Sequence, residues 1–320
     1  MLLQIFKSNQ SIVGLLVVLF SVLLWVPGFF VSQEEIVKLG IVTFNEFDFL
    51  FQPRWLNVFL TSLLIGGQAI FLNYIINSNK VLKSTTFLVA LFYVLIYGSA
   101  FGLFSLNLIL IVNTFVLLVL HQLFMLYNST QVNATLFNLG FFVGIASVLY
   151  NPLLILFPLV IFSIAYIRTP KGKDFLILII GFLIPFIYWV SYLYLTNQLI
   201  PIIDNYLLFH YAVVDKGIFA NSYFLYLLGL FSIIAIFNML AMLGRKVVKT
   251  RKLLIIVLLL LLVSLATYFY RMQDFRVTYL ILGVPIAIIL AHFFLNMKRK
   301  MLAELIFVML IVGLVLDYFL

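Results

Sequence analysis

Long hydrophobic runs follow one another along this chain with little between them. Eleven can be read: Ser11–Val31, Trp55–Ile76, Thr85–Phe101, Ser105–Leu126, Ala134–Tyr150, Pro152–Ile167, Phe175–Leu195, Tyr223–Leu243, Leu253–Tyr270, Val277–Leu295 and Met301–Leu320. A helix needs about 20 mostly apolar residues to cross the hydrocarbon core of a bilayer. In that medium each backbone amide and carbonyl must be satisfied within the structure, which for runs of this length means helices. Composition agrees: 66% of the 320 residues are hydrophobic and 9% are charged, against about 25% charged in soluble domains. The chain therefore reads as an all-α polytopic membrane protein, a single transmembrane domain over residues 1–320 with about eleven spans. The first run has no small-x-small cleavage site, so it is expected to stay as a span rather than be removed as a signal peptide.

The charges supply an orientation. With the amino terminus in the cytoplasm and the runs alternating, fourteen of the nineteen basic residues fall inside. Lys38, Arg54, Lys216, Arg271 and Arg276 are the five outside, which satisfies the positive-inside rule and leaves the carboxyl terminus outside. The +9 net charge thus marks topology and not nucleic-acid binding. The run Arg245–Lys252 would attract anionic lipid to the inner face. Cysteine is absent, which excludes disulfides, thiolate metal sites and a cysteine nucleophile.

Two places resist a plain bundle. The short segments around Asn151-Pro152 form a tight hairpin whose turn needs protein or a wet cavity to satisfy its backbone. The outer loop 196–222 mixes Ile, Leu, Phe and Tyr with Asp204, His210, Asp215 and Lys216, as an interfacial amphipathic stretch would. No 20–50-residue repeat supports an inverted-repeat transporter.

Four of the ten acids, Glu34, Glu35, Glu46 and Asp48, crowd into the first outer loop, 32–54. A carboxylate beside a low-dielectric cavity can be tuned to take a proton from an acceptor hydroxyl. Glu46 and Asp48 lie among Phe44, Phe47, Phe49 and Phe51 and are the first choice; Glu34 and Glu35 are the second. Arg271 and Arg276 sit outside against the charge bias, and forked guanidinium groups suit a phosphate headgroup; their plainer role is an ion pair with Asp274 and contact with ordinary lipid. Asp204 and His210 would line a substrate cavity. His121 and His292 lie towards the inner ends of their segments and read as interfacial residues. No His-Glu-x-x-His pattern or glycine-rich phosphate loop is present, so neither a metal nor a cofactor is expected.

Three stretches together resemble the GT-C superfamily of integral-membrane glycosyltransferases that use polyprenyl-phosphate sugars. Gly140–Tyr166, with its break at Asn151-Pro152 and second proline Pro158, is similar to that family's paired short helices. Phe275–Ala291 resembles its late arginine–tyrosine–proline segment, with Arg276, Tyr279 and Pro285 in the matching places. Phe209–Gly229 is similar to its aromatic outer loop. The family's Asp-Glu-x-x-Tyr context after the first span is absent, and no acid stands between Gly102 and Leu106.

The resemblance implies an acidic base in the first outer loop, here Glu46 or Asp48, then Glu34 or Glu35. It also implies arginines, Arg276 with Arg271, that face the lipid phosphate. The activity it implies is transfer of a sugar from a polyprenyl-phosphate lipid to an acceptor on the outer face of the inner membrane. The texture is also similar to that of polytopic inner-membrane families of Bacteroidota. A different class of function is a non-catalytic subunit or scaffold with an envelope protein as partner. A transporter ranks third, because intramembrane charge usually marks a transport path and Asp317 is the main ionisable group inside a run.

Overall fold

The computed structural model describes residues 2–8, 10–30, 54–99, 108–199, 223–270 and 275–319. Among these there is no strand, and the hydrophobic runs are helices. In chain order they are α1 (Leu2–Phe6), α2 (Ser11–Leu24), α3 (Arg54–Ser78), α4 (Leu88–Gly98), α5 (Leu108–Leu126), α6 (Val132–Leu149), α7 (Leu156–Ile167), α8 (Gly172–Leu195), α9 (Tyr223–Leu243), α10 (Val248–Tyr270), α11 (Phe275–Asn296) and α12 (Lys300–Phe319). Seven are long and apolar enough to cross a membrane: α3, α5, α6, α8, α9, α10 and α11. This is a polytopic membrane protein.

The ends of the helices have local causes. Pro27 cannot continue the α2 ladder, and the chain tightens into a 3₁₀ turn at Val26–Phe29, short of the Val31 boundary expected from hydropathy. Lys80, with φ 53°, is the left-handed residue that stops α3, and the Val81 N–H turns back to Ile76 O at 3.1 Å. At Asn151-Pro152 a 3₁₀ turn, Asn151–Ile155, leads straight into α7. The Leu153 N–H donates to Tyr150 O at 3.0 Å, so the hairpin satisfies part of its own backbone. α10 begins at Val248, five residues before its apolar run, and carries Lys249, Arg251 and Lys252 on its first turns. Long basic stems can lie along a helix while their heads reach water.

By internal contacts the chain divides into two units. The first comprises Met1–Leu110, Asp215–Leu254 and Tyr279–Leu320; the second comprises Ile111–Val214 and Ile255–Thr278.

In the first unit α4 is the hub. All eleven of its residues are buried, and at ~1.5 Å per residue it is about half the ~30 Å of a bilayer core. Its sequence looks like a lipid-facing span, yet protein covers every side of it. Gly14 of α2 lies against Phe87, and Leu24 of α2 against Gly98, so α2 and α4 run parallel. α11 runs the other way: the Tyr97 hydroxyl donates to Leu280 O at 2.8 Å, and Phe92 meets Phe294 at 4.8 Å. Phe92 also meets Phe307 of α12, edge to face at 6.3 Å. α3 packs on α2 through Gly66, where the Ser21 hydroxyl reaches Ser62 O at 3.0 Å.

These pairings define two ends of the unit. At one, the Phe87 N–H donates to Phe6 O at 2.9 Å and Glu304 accepts the Leu3 N–H. At the opposite end lie Leu24, Ser99, Tyr279 and Asp317.

In the second unit α6 and α8 meet almost backbone to backbone. A Cβ on Gly140 would collide with Leu178 O, and one on Gly181 with Phe137 O. One on Gly144 would stand 2.6 Å from Phe182 O and 3.0 Å from Pro185 Cγ. Lipid offers helices no hydrophobic reason to associate, so small residues that allow close approach drive the pairing. The start of α8 is fixed by Asp174, whose carboxylate accepts from the Lys171 N–H at 3.0 Å and from Arg168 Nη2 at 3.1 Å.

Candidate functional site

Glu34, Glu35, Glu46, Asp48, Asp204, His210 and Arg271 lie outside the described residues. Arg276 is described in its backbone only. It falls in the first turn of α11, on the helix and not in a loop. What the structure adds is the frame around these positions.

In the first unit α2 ends, α3 begins, α4 ends and α9 begins at the end opposite α1, and α11 enters the unit there at Tyr279. The chain therefore leaves and re-enters for the acid-bearing stretch, 31–53, at that end. The first turn of a helix has unpaired N–H groups and the positive end of the macrodipole, which favour an anion. A cation such as Arg276 is disfavoured there by the same dipole unless an anion sits nearby. Among described residues, no acid stands in that turn.

One turn further on, α11 is pinned. The Tyr279 hydroxyl lies 3.1 Å from Ser99 Oγ, and Ser99 Oγ donates to Ile96 O at 2.6 Å. Behind this point a buried polar chain crosses the unit. Tyr97 stacks on Tyr93 with centroids 4.2 Å apart. The Tyr93 hydroxyl donates to Gln68 Oε1 at 2.8 Å, and Gln68 Nε2 donates to Leu110 O at 2.7 Å. Each of these groups lies in an apolar surrounding where an unmade hydrogen bond is costly, so together they fix the register of α3, α4 and α11. Sequence reading passed over Gln68, Tyr93 and Tyr97; the signal was a glutamine within an otherwise apolar run.

Residues 1–320 match a family of unknown function, DUF6427. The chain belongs to that family. Neither the curated proteins nor the solved structures contain a match.

Two further features of this DUF6427 chain lie at or lead to the same end. Asp317, the ionisable group that would favour a transport path, caps a neighbouring helix instead: its carboxylate accepts from the Tyr223 N–H at 2.7 Å and the Phe224 N–H at 3.2 Å, at the start of α9. Between α9 and α12 runs an apolar groove of about 720 Å³, lined by Tyr226, Leu227, Val308, Val312 and Leu316 among others. Gly313 lets the helices approach at its floor, where a Cβ would stand 2.9 Å from Leu227 Cδ1. Among the described residues no group of three or more metal-binding side chains comes together.

His292 differs from its expected place. It is 1% exposed, buried under protein and not at an interface. His121 is partly buried within α5.

Proposed function

We propose that the chain is an inner-membrane glycosyltransferase of GT-C-like architecture, with about eleven spans, a cytoplasmic amino terminus and an outer face at the end opposite α1. It transfers a sugar from a polyprenyl-phosphate donor to an acceptor at that face. The observation that carries the reading is the place of Arg276: a cation in the first turn of α11. A lipid phosphate relieves the conflict between the guanidinium and the helix dipole, because it is held by both.

In this mechanism Glu46 or Asp48 takes the proton from the acceptor hydroxyl as that oxygen attacks the anomeric carbon. The bond to the donor phosphate breaks, and Arg276, with Arg271, stabilises the charge that collects on the leaving phosphate. Asp204 and His210 orient the sugar. The apolar groove between α9 and α12 is of the size and character that takes a hydrocarbon chain, which suits a donor with an isoprenoid tail. The capping role of Asp317 removes the main reason to prefer a transporter.

The test is transfer of labelled sugar from a panel of polyprenyl-phosphate sugars in reconstituted membranes. Glu46→Gln, Asp48→Asn and Arg276→Met are expected to lower the rate at least 100-fold where the residue is catalytic. Wild-type rates in all three refute the reading. The chain would then be a non-catalytic subunit, with an envelope protein that co-purifies in fixed ratio.

A further inference from the structure

The groove between α9 and α12 has a definite length and width and two unlike ends. Along α12 it runs from Glu304 to Leu316, about 18 Å at ~1.5 Å per residue. That is close to the depth of one leaflet of a ~30 Å hydrocarbon core. Spread over this length, 720 Å³ leaves a cross-section of about 40 Å². A helix with its side chains is about 10–12 Å across and needs two to three times that area, so the groove is too narrow to receive one. Extended hydrocarbon chains, which pack at carbon separations of about 4 Å, fit one or two abreast.

The walls suit such chains. Leu305, Val308, Met309 and Val312 are apolar and exposed, and a methionine adapts its shape to what lies against it. α9 is one of the helices long and apolar enough to cross a membrane, so lipid is the medium around the groove. A gap left there forfeits dispersion contacts along its lining, and a chain from the adjoining leaflet is what fills it.

Charge selects the lipid. Residues four apart share a helix face, so the stripe of Val312, Val308 and Glu304 reaches Lys300 one turn further on. Lys300 is exposed, as are Lys298 and Arg299 just before it, and none of the three is in an ion pair among the described residues. Helix side chains lean towards the amino terminus, which carries Lys300 out past this mouth. The Glu304 carboxylate at the mouth accepts the Leu3 N–H at 3.4 Å. At the other mouth stands a carboxylate, Asp317, held by the start of α9. An anionic head is therefore drawn to the α1 end and repelled from the opposite one.

We propose that this groove holds a resident anionic phospholipid, its acyl chains against α9 and α12 and its phosphate among Lys298, Arg299 and Lys300. The inference goes beyond sugar transfer and does not rest on it. A donor tail that enters the same groove does so by displacing this lipid.

The experiment uses the full chain, purified in non-ionic detergent and stripped of lipid. Phosphatidylglycerol and zwitterionic phosphatidylethanolamine are titrated separately, and bound lipid is counted by native mass spectrometry. One phosphatidylglycerol is expected to bind saturably, and more tightly than phosphatidylethanolamine. Lys298→Met, Arg299→Met and Lys300→Met should each weaken it by up to about five-fold. Val308→Trp and Val312→Trp fill the groove and should weaken it by about ten-fold or more. Leu183→Trp, on an exposed part of α8, should leave it unchanged. Every substituted side chain is exposed, so all the variants should keep the wild-type melting midpoint.

The proposal is overturned if phosphatidylglycerol does not bind saturably, or if phosphatidylethanolamine binds as tightly. It is also overturned if the variant lacking all three cations, or both tryptophan variants, bind as wild type does. A lipid-free dimer that Val312→Trp dissociates makes a second copy of the chain the occupant, and overturns it as well.

Discussion

The contact between α6 and α8 makes a quantitative claim that five glycine substitutions can test. Alanine is favoured over glycine in a helix by up to about 1 kcal/mol, so Gly→Ala is neutral or stabilising where there is room. Gly67 and Gly229 have room: a Cβ at either meets nothing within 4 Å. At Gly140 and Gly181 the new carbon overlaps a carbonyl oxygen of the facing helix, and no flexible side chain can move aside. Gly144 is a milder case, at 2.6 Å from Phe182 O. An ordinary contact requires a shift there of roughly 0.5–1 Å, which forfeits about a quarter to a half of the dispersion well for atoms along the seam.

Overpacking of this kind costs about 1–3 kcal/mol, more than the gain in propensity. The net loss at Gly140 or Gly181 is then about 1–2 kcal/mol, or a fall in melting temperature of about 2–8 °C. The native chain has no cysteine, so one thiol at the fully buried Ala146 of α6 reports opening of the seam by dye labelling during heating. The expected order of midpoints is Gly67→Ala and Gly229→Ala at or above wild type, then Gly144→Ala, then Gly140→Ala and Gly181→Ala. Gly140→Ala melting with or above Gly229→Ala would refute the close contact.

Further consequences concern single side chains. Asp317→Ala removes the acceptor for two N–H groups at the start of α9 and should cost about 1–2 kcal/mol, while Asp317→Asn keeps one acceptor oxygen and should recover part of that; hydrogen exchange at Tyr223 and Phe224 is the direct readout. Tyr93→Phe removes the hydroxyl that donates to Gln68 Oε1 and should cost about 1–3 kcal/mol. The double variant with Gln68→Leu should cost less than the sum of the two single changes, since both ends of the bond are then gone.

Much of the helical pattern was legible in the residues. The segment Tyr223–Leu243 coincides with α9, and most other helices begin or end within a few residues of their apolar runs. The larger differences have local causes: Pro27 stops α2 early, and α10 extends back over basic residues whose stems can lie on a helix. The candidate site was legible only as a pattern of charge. Gln68, Tyr93 and Tyr279 were not singled out as partners, because each meets its neighbour across 25 or more residues of chain.

Hydropathy alone determined that this chain enters a membrane as helices, because a backbone in lipid has few other ways to satisfy its hydrogen bonds. It did not determine which helices face lipid. α4 and α8 are both strongly apolar, yet every residue of α4 is buried in protein, while α8 exposes Tyr188, Tyr194 and Leu195 by 72% or more. Lipid tails and a protein interior are about equally apolar, so transfer from one to the other leaves little trace in composition. That choice, like the work of Asp317 as a cap, was made by glycine contacts and hydrogen bonds that exist only once the helices have met.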